Sequence, residues 1–189
     1  MDEGVKKEIL ETLKGSIEAI AKDDVKKLRD LSNRIINSSS LDQDEDVITM
    51  AVMLYSLSKI YERTDYRKYS GWKLLNETIR NSLRGALFAL ENSDVTNFEK
   101  NMKNILDVID KLDNKLKSYI KDVIHDAQIA RGSRLYEHGL SLGRTAELLG
   151  IDKWELTEYV SKTGIAEVKE GFTLTEEKRI KSLRRLFNE

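Results

Sequence analysis

The chain holds two histidines, no cysteine and no proline, and that inventory bounds its covalent chemistry. His125 and His138 stand on what reads as one long helix, and neither has an Asp, Glu or His at ligand spacing in a loop that would close a metal site. Without cysteine there is no thiolate nucleophile, disulfide or thiolate metal site, which fits a reducing compartment. Gly-x-Ser-x-Gly elbows, Walker loops and Gly-x-Gly-x-x-Gly turns do not occur. The acidic run Asp42, Asp44, Glu45, Asp46 alternates carboxylates as a calcium loop does, but Val47 and Met53 stand where that loop needs Gly and Glu. Carboxylates facing the positive end of a helix account for the run better. Other paired carboxylates read as surface charge, and no Glu-x-x-His motif accompanies them. The expectation is a protein that is not an enzyme and has no metal and no cofactor.

Recognition chemistry is concentrated in residues 131–165, RGSRLYEHGLSLGRTAELLGIDKWELTEYVSKTGI. Ser141 is placed to cap a short helix over 142–149, and Gly150 follows where a helix ending in a left-handed residue wants glycine. Asp152 opens a second helix to about 163, stopped by Gly164. Ala146 falls where the two helices cross, and Leu149, Ile151, Leu156 and Tyr159 have the spacing to fill the wedge between them. That is the pattern of a helix-turn-helix. With Ile151, Leu156, Tyr159 and Val160 inward, the second helix turns Trp154, Thr157, Glu158, Ser161 and Lys162 outward. Arg144, Lys153 and Lys162 are the candidate phosphate contacts, and Trp154, Thr157 and Ser161 the candidate base readers. Asp152, Glu155 and Glu158 oppose this, because a carboxylate near the backbone repels phosphate unless it accepts from a cytosine amino group. A different class of function stays open: a protein-interaction or adaptor module in which the same hairpin serves a partner or dimer surface, which suits the outward Trp154.

The run RLYEHGLSLGRTAELLGIDKWELTEYVSKTGI resembles the core of a family of small prokaryotic predicted antitoxins. Its members run Leu-Tyr, two residues, Gly, then a Ser-Leu-Gly helix with alanines, a Gly turn, and a helix ending near Gly-Ile. The likeness covers residues 131–168, under a quarter of the chain. Thr145 stands where the family usually has alanine, and the connection from Gly139 to Ser141 is a residue short. The resemblance implies a regulator that binds double-stranded DNA, with a toxin or other regulator as a protein partner. It does not extend to residues 1–125.

The elements that must position this unit are helical throughout, as the absence of proline suggests. A first helix over 2–22 has Val5, Ile9, Leu13, Ile17 and Ile20 on one stripe, and a second begins at Asp23 and Asp24 and ends in the turn Asn37, Ser38, Ser39, Ser40. The third, 45–63, is apolar nearly all round and belongs at the centre of a bundle. In 61–73, tyrosines interleaved with cations read as an inter-helix loop rather than a nucleic-acid groove. A fourth helix carries Trp72, Leu75, Ile79, Leu83, Leu87 and Leu90 inward. Phe98, Met102, Ile105, Ile109, Leu112, Leu116, Tyr119 and Val123 then alternate spacings of four and three, a heptad pattern. Helical to His138, that element would be about 60 Å long, a strut or a dimer seam. A last helix begins at Thr175, and its Lys178, Arg179, Lys181, Arg184 and Arg185 make it the most basic stretch.

The expected architecture is therefore all-α: a bundle over 1–125 for dimerisation or partner binding, then a helix-turn-helix unit over 126–189 ending in that basic helix. A two-fold operator calls for a homodimer. Charge is a poor footprint for nucleic acid, at 32 basic against 33 acidic residues overall. From Ile129 onward there are eleven cations to ten carboxylates, and before it 21 to 23. No apolar stretch approaches the roughly 20 residues that span a bilayer, so the expectation is a soluble, cytoplasmic protein with no membrane partner.

Overall fold

The structure is a computed structural model that describes residues 3–42 and 45–164. Every regular element among the described residues is a helix. α1 (Glu3–Ala21) and α2 (Val25–Asp42) form a hairpin, followed by α3 (Glu45–Glu62). After a short 3-10 turn over Thr64–Lys68 come α4 (Trp72–Glu91), α5 (Val95–Asp107), a second 3-10 turn over Val108–Lys111, and α6 (Asn114–Glu137). The chain closes with α7 (Leu142–Leu149) and α8 (Lys153–Lys162). None of the described helices is long and apolar enough to cross a membrane.

The two hairpins, α1–α2 and α4–α5, are built alike at an offset of seventy positions. Gly15 and Gly85, Asp24 and Asp94, and Val25 and Val95 correspond, and the pattern of burial over 11–20 repeats over 81–90. Both turns place a non-glycine residue at positive φ, Asp23 at 53° and Ser93 at 60°. In both, an Asp then caps the next helix: Asp24 Oδ1 accepts from Lys27 N at 2.9 Å and Asp94 Oδ1 from Asn97 N at 3.0 Å. Gly15 faces Leu31 and Gly85 faces Asn101, again seventy apart, and any Cβ there would press on the opposite helix. The inward residues correspond as well: Ile9 with Ile79, Leu13 with Leu83, Ile20 with Leu90, Leu28 with Phe98, Ile35 with Ile105. α1 packs on α4 and α3 on α6, so the two halves meet through like elements.

α3 lies at the centre as its composition requires, with Met50, Ala51 and Leu54 fully buried. The halves differ at one place. α2 packs closely along α3, whereas α5 stays on α4 and stands off both α3 and α6.

Two expectations change. The heptad pattern does not run through one long helix. It is broken by the 3-10 turn at Val108–Lys111, and Asp113 caps α6 by accepting from Leu116 N at 3.0 Å. Its residues are buried inside the chain except for Tyr119, which is 37% exposed. They therefore pack in a bundle rather than forming a strut or dimer seam. The second helix also does not stop at Asn37 but continues to Asp42. The helix expected from Thr175 lies outside the described residues.

Candidate nucleic-acid interface

α7 and α8 sit on the C-terminal half of α6. The local sequence dictates each end. Ser141 Oγ accepts from Arg144 N at 3.2 Å to start α7, and Gly150 ends it in the left-handed region at φ 63°. Asp152 Oδ1 accepts from Trp154 N at 2.6 Å and Glu155 N at 3.3 Å to start α8. Gly164, at φ 65°, follows its last turn. Ala146, Leu156 and Val160 form a small buried cluster, with Tyr136, Leu142 and Ile151 packed against it.

Gly132, Gln128 and Arg131, which the sequence pattern did not single out, join the two histidines in fixing α6 to α7, to α8 and to the rest of the bundle. A Cβ on Gly132 of α6 would meet Leu149 Cδ1 at 3.0 Å and Leu156 Cδ1 at 3.1 Å, so glycine there lets both helices approach. Gln128 Nε2 donates to the Leu149 carbonyl at 2.9 Å, and His125 Nε2 lies 3.0 Å from Glu155 Oε1. His138 reaches back to Asn37 Oδ1 at 2.9 Å. Arg131 is buried with its guanidinium 3.9 Å from the Tyr55 ring centroid, and its Nη1 donates to Asn33 Oδ1 at 2.7 Å. Burial lowers its pKa, and the Tyr55 ring beside it opposes that shift. The only sequence signals were the Arg-Gly pair at 131–132 and the polar positions on an otherwise inward helix face.

All six candidate contact residues lie on α7 or α8. Trp154 is the most open large apolar side chain among the described residues, at 80% exposed. Lys153 is exposed and has no ion pair among the described residues. The other cations are engaged: Arg144 Nη1 donates to Glu147 Oε2 at 2.9 Å and Lys162 Nζ to Glu158 Oε1 at 2.6 Å. The hydrogen bond from Lys162 lowers the pKa of Glu158. The hydroxyls turn onto their own helix, Thr157 donating to the Lys153 carbonyl at 2.7 Å and Ser161 to the Thr157 carbonyl at 2.8 Å. Tyr159 does not fill the wedge as expected. It is 38% exposed, because Leu156 and Val160 already occupy the contact with α6 and α7.

On these helices three cations (Arg144, Lys153, Lys162) face four carboxylates (Glu147, Asp152, Glu155, Glu158). No family model, curated protein or solved structure matches the chain. Among the described residues of α7 and α8, the surface offers one ammonium with no ion pair, two cations that can exchange a carboxylate for a phosphate, and a large indole.

Proposed function

We propose that the chain is a helix-turn-helix regulator of transcription that binds double-stranded DNA through α8, with an antitoxin-like recognition unit. Residues 126–189 are the DNA-binding part, and residues 1–125 serve dimerisation or a protein partner such as a toxin or regulator. The observation that carries this is the cap-and-turn geometry of α7 and α8. A left-handed Gly150 sits between two capped helices, and one face of α8 is packed while the other is open. A second helix presented in that way is how such units enter the major groove. The ion pairs of Arg144 and Lys162 do not block phosphate contact, since exposed pairs are worth only about 0–1 kcal/mol. Their carboxylates keep the number of phosphate contacts small. The salt dependence is then shallow, with a slope of about −0.9 per contact in log K against log salt.

Selection from a random duplex pool with the purified chain tests this. Enrichment of a two-fold sequence, with Lys153→Ala weakening all duplexes alike and Thr157→Ala changing the preferred sequence, supports it. Failure of selected and random duplexes alike at low salt overturns it.

One observation favours a second reading, a helical protein-interaction module: Trp154 is 80% exposed on a pair of helices where carboxylates outnumber cations. Aromatic anchors of this kind dominate protein interfaces. Under that reading Trp154→Ala abolishes partner binding, and no DNA is selected.

A further inference from the structure

We propose that the gap between α5 and the α3–α6 pair is a binding site for a small, uncharged, apolar molecule. α5 stands off α3 and α6 where α2, its counterpart, packs closely on α3. The space left is a cavity of about 140 Å³, walled by α3 to α7. No charged residue lines this part of the gap, which continues past Thr49, Met53 and Leu106 to a hollow edged by Asp46, Glu99 and Lys103. The floor and walls of the cavity are aliphatic, including Ile48, Leu75, Ile105 and Ile124, and Leu106 at its edge is 45% exposed.

Of the three polar side chains there, Thr49, Ser56 and Gln128, two donate to backbone carbonyls. Ser56 Oγ donates to the Val52 carbonyl at 2.9 Å, and the Gln128 amide nitrogen donates to the Leu149 carbonyl at 2.9 Å. A water needs two to four polar partners, and an ion needs a counter-charge, so this lining favours neither. An apolar cavity of about 150 Å³ is enough to take up benzene. Size and chemistry together select an occupant with one ring or a short branched alkyl group.

The site also has a direct line to the proposed recognition helices. Leu148 and Leu149 of α7 form part of its wall, and Gln128 joins that wall to α6. Binding itself does not depend on whether the chain binds DNA.

Toluene is the probe, added to the full chain with methyl and amide shifts followed by NMR. The expected result is saturable shifts at Ile48, Ile105, Ile124 and Leu149 and in the amides of α7, with a rise in Tm. Benzoate, of similar shape but charged, gives no such shifts. Ser56→Leu fills the cavity and weakens toluene binding by at least about tenfold. Should that variant not fold, Thr49→Phe fills the cavity from an exposed position on its rim and gives the same loss. Shifts that do not saturate, that spread equally to Leu13 and Leu83, or that survive in the filled variant overturn the proposal.

Discussion

The guanidinium of Arg131 lies 3.9 Å from the centroid of the Tyr55 ring, buried between α6 and α3. This contact ties the helix that carries α7 and α8 to the centre of the bundle. The Arg131 Nε, also buried, has no hydrogen-bond partner, so a cation is held here chiefly by a π face and one Asn33 oxygen. A desolvated contact of this kind is worth about 2 kcal/mol. Arg131→Lys keeps the charge but loses the planar stack. It is expected to cost about 1–2 kcal/mol in chemical denaturation, and an unchanged midpoint would show that the stack contributes nothing.

Gly132→Val tests the approach of α7 and α8. The added methyls have no room between Leu149 and Leu156. Overpacking of that sort costs about 1–3 kcal/mol. Amide shifts should concentrate in α7 and α8, and a uniform response across α1 to α4 would contradict the packing described.

Leu54→Ala removes a fully buried side chain from the central helix. The expected loss is about 2–5 kcal/mol in urea. A change under about 0.5 kcal/mol would remove α3 from the centre of the core.

Tyr61 sets a response to alkaline pH. Its hydroxyl donates to Asn76 Oδ1 at 2.6 Å, and burial pushes its pKa from 10.0 up to about 12. The folded-state value is raised, so its contribution to stability is fully present below pH 10.0 and is lost as pH climbs towards about 12. The stability of the wild type should fall more steeply across that window than that of Tyr61→Phe. Parallel curves would refute the assignment.

Several things were legible in the residues alone: the all-α class, the central position of 45–62, the caps at Ser141 and Asp152, and the turn at Gly150. Each follows from short-range rules. Apolar periodicity fixes which face is buried, a side-chain oxygen satisfies free N–H groups, and glycine alone enters the left-handed region without strain. The outward positions of Trp154 and Lys162 followed from the same periodicity. The break at Val108–Lys111 did not, because a heptad spacing continues across a turn whenever both flanking helices bury the same side.

Only the tertiary structure decided the rest. The likeness of the two hairpins rests on matched burial and turns with few identical residues, so it became visible once the helices were packed. The standing-off of α5, and with it the cavity, depends on how α3, α4 and α6 share space, which no single helix encodes. The pairing of Arg144 and Lys162 with carboxylates one turn away uses residues the sequence displays in full. Whether a cation spends its charge on its own helix or leaves it for a partner is set by side-chain geometry in three dimensions.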